Sequence, residues 1–434
     1  MNIITLNEEN KNVLRETLAR RSTSGFKDIE DKVAAIIANV RENGDKALFE
    51  YSAQFDHFDL NKDNIRITEE EMQAAVDECD PEFIAVLKRA ADNIREFHEK
   101  QRRQSWMEPK ADGSILGIRF TPIEIAGVYV PGGKAAYPSS LLMNVIPAKV
   151  AGVERIIMFT PPGQDGHVSP ATLAAAKIAG VTEAYRVGGA QAVAAMAYGT
   201  ESIPRVHKIC GPGNIFVAMA KKAVYGQVSI DSVAGPSEIL VLADETANPR
   251  FVAADLLSQA EHDEMASAIL VTTSKKLAED VKKEIEGFVP KLERKEIIQK
   301  SLDNYGFLFV ADDMDSAILA VNDIASEHLE IMTKDPYETM TKVRNAGAIF
   351  LGTYSSEPLG DYFAGPNHIL PTNGTAKFFS PLNVDDFMKK TSIISYSEDA
   401  LRRDCDDIIY FANKEGLTAH ANSIAVRFGK EGKC

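Results

Sequence analysis

Between residues 123 and 351 of this 434-residue chain, short apolar runs of strand length alternate with helix-length segments, and several of the turns are rich in glycine. That alternation constrains the fold more than any other feature, because strands separated by helices at this pace pair in parallel, with helices covering the sheet. Residues 123–130, 155–159, 183–187 and 208–210 form a first series of expected strands, and 238–243, 267–272, 306–310, 329–332 and 348–351 a second. The expectation is two α/β units, at about 127–236 and 237–380, with no obvious sequence repeat between them. Ahead of them the chain reads as helical. Ile29, Val33, Ile36, Ile37 and Val40 recur at helical spacing as far as Gly44. Thr68 with Glu71 makes a capping box, and Asp80-Pro81 opens a helix expected to reach about residue 103. These first hundred residues are expected to pack onto the second unit. Beyond residue 380 the pattern is irregular, with a helical segment and a short strand near Ile424, Ala425 and Val426, as in a small tail.

Composition excludes some functions. Sixty-three acidic residues against 48 basic ones give a net charge of −15, which argues against nucleic acid or an anionic membrane as partner. Cys79, Cys210, Cys405 and Cys434 form no C-x-x-C pair, so neither a disulfide framework nor a thiolate zinc site is indicated. The first residues carry no basic, apolar leader pattern, and no apolar run reaches the roughly 20 residues that span a bilayer. A reduced, cytoplasmic protein is expected.

Three glycine turns follow expected strands: Pro131-Gly132-Gly133, Gly188-Gly189-Ala190 and Gly211-Pro212-Gly213. Ligands of open parallel sheets bind at such strand ends, where backbone N–H groups and a helix N-terminus favour phosphate. None of the turns is a G-x-G-x-x-G; Phe216 stands where Gly211-x-Gly213 would need its third glycine. A nucleotide cleft and ordinary strand–helix turns both remain open, and the turns do not separate NAD from ATP.

The polar candidates lie further on. Gln259 and His262 in Ser258-Gln-Ala-Glu-His-Asp263 are three apart, hence on one face of a helix's last turn; a plain polar helix end is the alternative. Asp361 and His368 share a Gly/Pro-rich loop, a backbone that tends to host function or simply a turn. His420 sits among small residues. Glu327-His328 pairs two proton acceptors of different basicity, or is an exposed dipeptide. Cys210 could be a nucleophile but reads better as packing, with no histidine base near it in sequence. His57, His98, His167 and His207 read as surface or structural residues.

Several segments together resemble the histidinol dehydrogenase family: Gly127-Val-Tyr129-Val-Pro-Gly-Gly133, Val187-Gly-Gly-Ala-Gln191, Cys210-Gly-Pro-Gly-Asn214, Val233-Ala-Gly-Pro-Ser237-Glu238, Ser258 to Asp263, Ser326-Glu-His-Leu329, Gly360-Asp-Tyr-Phe-Ala-Gly-Pro-Asn-His368 and Gly416-Leu-Thr-Ala-His-Ala-Asn-Ser423. They run from about residue 120 to the C-terminus, with no departure at a functional position. The resemblance implies two Rossmann-like units with incomplete parallel sheets, plus N-terminal helices and a small tail. It implies oxidation of L-histidinol to L-histidine through L-histidinaldehyde, reducing two NAD in succession. Gln259, His262, Asp361 and His420 would bind one zinc per subunit. Ser237, His328 and Glu415 would join those ligands on the substrate, and Tyr129, Gln191 and Asn214 would contact NAD. The implied division is 1–24 as a helical segment, 25–126 with 237–380 as the domain carrying most of the zinc and substrate site, 127–236 as the NAD domain, and 381–434 as a tail serving a homodimer. By that analogy Glu415 and His420 come from the other subunit. His328 is then the candidate base for the alcohol proton, and Glu327 the candidate activator of the water that attacks the aldehyde. The rivals are a zinc hydrolase, weakened by the lack of an H-E-x-x-H helix, a non-catalytic nucleotide-binding regulator, and a relative acting on another amino alcohol.

Overall fold

The computed structural model describes residues 1–23, 27–132, 137–233 and 235–430, so Gly133 and Ala234 of the quoted motifs lie outside the described residues. In chain order the elements are β1 (Asn2–Thr5), α1 (Glu8–Thr23), α2 (Lys27–Tyr51), β2 (Arg66–Ile67), α3 (Glu69–Glu78), α4 (Pro81–Glu99), β3 (Trp106–Pro109), β4 (Ile115–Pro122) and β5 (Ile125–Tyr129). Then come α5 (Pro138–Ala151), β6 (Arg155–Phe159), α6 (Pro170–Ala179), β7 (Glu183–Tyr185), α7 (Gly189–Tyr198), β8 (Lys208–Cys210), α8 (Ile215–Val224), β9 (Ser229–Ile230) and β10 (Glu238–Ala243). The series continues with α9 (Pro249–Ala260), β11 (Ser267–Thr272), α10 (Lys275–Phe288), α11 (Lys295–Tyr305), β12 (Gly306–Val310), α12 (Met314–Ile324), β13 (His328–Met332), α13 (Pro336–Thr341) and β14 (Ala348–Leu351). It ends with α14 (Glu357–Tyr362), β15 (Met388–Ser395), α15 (Glu398–Lys414) and α16 (Thr418–Ala425).

The chain divides into two compact units, residues 1–101 with 123–387, and residues 102–122 with 388 onward. The first unit holds two six-stranded sheets, β2-β7-β6-β5-β8-β9 and β1-β12-β11-β10-β13-β14. Without β2 and β1, each has its strands in the same order. The first strand in sequence lies at the centre, the next two extend one way and the last two the other. This is the doubly wound arrangement, with its switch point beside β5 in one sheet and β10 in the other. All pairs are parallel except β2 with β7. The strands are apolar on both sides, as parallel sheets covered by helices must be. In β6, for example, Ile156 and Met158 face one core and Ile157 and Phe159 the other.

Three expectations need correction. Residues 27–99 pack onto the first sheet's helices, α2 against α7 and α8, α3 against α6, and α4 against α5, while β1 and, through Leu14, α1 go with the second sheet as expected. The stripe Val33, Ile36, Ile37 and Val40 shows that α2 buries a face, and it joins the core that also holds Val193, Ala194 and Ala197 of α7. Periodicity identifies a buried face but not its partner. The expected strand at 424–426 is the end of α16 and a 3-10 turn, because Ala421 and Ala425, four apart, bury one helical face. The helix after Pro81 ends at Glu99, short of residue 103. The second unit also uses a segment the sequence pattern does not reveal. β3 and β4 pair antiparallel with each other, and β4 with β15, and α15 and α16 complete the unit.

No helix among the described residues is long and apolar enough to cross a membrane.

Candidate active site

The polar candidates of the first unit gather at the amino edge of the second sheet. α9, capped by Asn248, brings Gln259 to its last turn, fully buried, and His262 just beyond the helix end. The Gln259 Nε2 to His262 Nδ1 distance is 3.4 Å. Gln259 Oε1 is buried with no hydrogen-bond partner among the described residues. The helix presents its negative end here, where a cation is favoured.

β13 and β10 place the next pair. His328 opens β13 in register with Ile239. Its Nδ1 lies 3.0 Å from the Glu238 carbonyl. A carbonyl only accepts, so Nδ1 donates, and the neutral ring carries its lone pair on Nε2, 3.6 Å from Asp361 Oδ1. The Glu327 carboxylate accepts the Glu238 N–H at 2.9 Å. The dipeptide is thus buried, not exposed, and it holds both ends of residue 238's backbone.

α14 supplies Asp361 and a residue that sequence reasoning missed, Glu357, which is buried. The two are four apart and share a helix face. Glu357 accepts from the Ser258 hydroxyl at 2.9 Å, and its N–H donates to Glu330 at 2.7 Å. Donor atoms of His262, Glu357 and Asp361 lie within 4.8 Å of one another. The His368 ring donates to the Asp361 carbonyl at 3.0 Å. The available signals were Glu357 at i−4 from Asp361, and Glu330, two residues after His328 on the same strand face.

Burial and mutual charge set the protonation. Burial lowers the pKa of His262 and of His368, keeping both imidazoles neutral and able to donate a lone pair. Burial alone would raise Asp361, but His328 and His368 hold it at about 2. Burial raises Glu327 to about 8. Burial, then the charge of Asp361, raises Glu357 to about 7. Burial opposes the charge on His328, yet Glu327 and Asp361 outweigh it and push the ring to about 10. So many buried carboxyls around three imidazoles make a ready site for a cation.

The residues expected at the cofactor lie at the carboxyl edge of the first sheet. Tyr129 ends β5 and its hydroxyl accepts the Gly189 N–H at 3.0 Å. Gln191 is buried in the first turn of α7, and Asn214 caps α8 by accepting from Phe216 and Val217. Ser237 immediately precedes β10, its carbonyl accepting from Ser267 at 3.0 Å. Cys210 is fully buried and its thiol is pushed well up by that burial, so it is packing and not a nucleophile. His98 is buried in the structure, against Gln101.

Glu415, the C-cap of α15, and His420, on α16, belong to the second unit and are exposed.

Fold and site define a class, a two-sheet α/β protein with an imidazole–carboxylate cluster at one sheet, open at His262, and a glycine-turn edge on the other. The model of the family Histidinol dehydrogenase matches residues 19–428. The chain is 54% identical to the histidinol dehydrogenase of Halalkalibacterium halodurans over 99% of this chain and 100% of that one. It is 58% identical to that of Caldanaerobacter subterraneus over 95% of each. The crystal structure of histidinol dehydrogenase from Elizabethkingia anophelis superposes with a TM-score of 0.93 at 36% identity, covering 99% of this chain and 98% of that chain. The chain belongs to the histidinol dehydrogenase family.

Proposed function

We propose that this chain oxidises L-histidinol to L-histidine through L-histidinaldehyde, with two NAD reduced in succession, in a cytoplasmic homodimer that binds one zinc ion per subunit. As a family member it is an oxidoreductase of histidine biosynthesis. The observation that carries the reading is the convergence of Gln259, His262, His328 and Asp361 on one sheet edge, with Glu327 behind them.

Gln259, His262 and Asp361 would hold the zinc, with His420 of a second copy as fourth donor. The fit rests on a buried carboxamide oxygen without a partner, a neutral imidazole and an ionised carboxylate. When bound, zinc supplies a Lewis-acid anchor for the amine and imidazole of histidinol. Ser237 and Glu415 would orient the substrate. Tyr129, Gln191 and Asn214 would hold NAD, which accepts the hydride. His328 Nε2 takes the alcohol proton. Asp361 supports the charged form of His328, so engaging that carboxylate with a cation lowers the ring's pKa toward the range a base needs. Glu327 then takes a proton from the water that attacks the aldehyde.

The test is NADH formed per histidinol consumed. A ratio of about two is expected for oxidation of an alcohol to an acid by a two-electron carrier. A ratio of one, with aldehyde accumulating, overturns the proposal.

A further inference from the structure

The turn Gly211-Pro212-Gly213-Asn214 is held from below by two charged side chains that the reaction does not use. Lys221, on α8, and Asp231, just after β9, form an ion pair with side chains only 3% and 4% exposed. Both also grip one residue of the turn. The Gly211 N–H donates to Asp231 Oδ2 at 2.8 Å, and Lys221 Nζ donates to the Gly211 carbonyl at 2.9 Å. The other Asp231 oxygen accepts the Ser232 N–H at 2.7 Å. Gly211 has φ +117°, a conformation that L side chains rarely adopt. A peptide in that conformation, with its N–H and C=O both tied to a buried ion pair, has little freedom to reorient. Asn214, three residues on, starts α8.

A buried ion pair is a poor device for stability, since apolar residues of the same volume often do as well. Its directional hydrogen bonds suit it instead to fixing a conformation. We infer that Lys221 and Asp231 are positioning residues that hold the 211–214 turn, and with it Asn214, in the form that meets NAD. The pair touches the turn and not the cofactor. Asp231 also begins the connector that runs to Ser237 and β10, so the cofactor turn and the connector share one anchor. The inference rests on the reading of this turn as part of the cofactor site.

Three variants of the full chain test it, by calorimetric titration with NAD and by separate KM values for NAD and histidinol. Lys221→Met strands Asp231 and is liable to unfold, so the main probe is the double variant Lys221→Met with Asp231→Leu, which leaves no buried charge unpaired. It should stay folded and bind NAD about ten- to a hundredfold more weakly, the range expected for lost hydrogen bonds to charged groups. Its KM for histidinol and its zinc content should match wild type. A folded double variant with wild-type NAD affinity, or with both KM values raised alike, overturns the clamp. Asn214→Asp keeps the helix cap but puts a negative charge at the turn. Unchanged NAD affinity there removes the turn from the cofactor site, and the clamp's role with it. Weakened affinity in Asn214→Asp alone leaves the turn in place and rejects only the clamp.

Discussion

Glu327 and His328 bind opposite ends of one backbone residue, Glu238, the first by its N–H and the second by its C=O. This makes Glu327→Gln an informative substitution, because the amide oxygen can still accept the N–H while the basicity is gone. Histidinaldehyde oxidation should fall about 10²–10⁴-fold, the usual share of a general base, and histidinol oxidation to the aldehyde should fall much less. Assaying the two substrates separately decides this, and wild-type speed on the aldehyde excludes Glu327 as the base. The pH profile has a definite sign. A carboxyl raised to about 8 must lose its proton to act, so aldehyde oxidation should rise with pH through about 8 and then level, and Glu327→Gln should lack that limb. The adjacency of these two residues is plain in the sequence. Their burial is not, because Ser326-Glu-His-Leu329 could equally belong to an exposed loop until β13 is seen entering the sheet beside β10.

At the scale of elements, α14 carries the clearest addition to the sequence reading. Asp361 stands out because glycine and proline surround it. Glu357 does not, although the i,i+4 spacing was available, because spacing does not say which way a short helix faces. Its two carboxylates point inward, and among the described residues no lysine or arginine is ion-paired with either. Glu357→Gln should therefore weaken zinc binding about tenfold, as loss of a group supporting the ligands from behind does. Competition with a chromogenic chelator on the metal-free protein reads this directly, and unchanged affinity would falsify the assignment. The glycine turns show the same limit from the other side. Three of them suggest a ligand edge, but only the structure shows what fixes one in place. A Cβ at residue 211 would come within 2.0 Å of the Tyr129 carbonyl oxygen. Gly211→Ala should accordingly cost about 1–3 kcal/mol of stability from overpacking, measurable by urea unfolding, with a raised KM for NAD. The helices α2 to α4 were legible as helices, capping box included. Their partner sheet was not, since an apolar stripe on one helix fits any complementary face.

At the scale of the whole molecule, the proposed donors fall in two compact units, with Gln259, His262, Glu327, His328 and Asp361 in one and Glu415 and His420 in the other. If each site combines the first unit of one chain with the second unit of its partner, two inactive variants should rescue each other. Consider His328→Asn, damaged in the first unit, and His420→Asn, damaged in the second. In their heterodimer one site receives both lesions and the other receives neither. Random pairing makes about half the dimers heterodimers, and one site in two of those is intact, so co-folding equal amounts should restore about a quarter of wild-type turnover. Either variant alone should stay inactive at any concentration. Sites built within a single chain give no recovery, because every chain in the mixture then carries a lesion in its own site. Recovery should also need subunit exchange, so mixing the two folded homodimers should restore activity only as slowly as they dissociate. Activity that returns at once on mixing, or never returns after co-folding, rules out a site shared between copies.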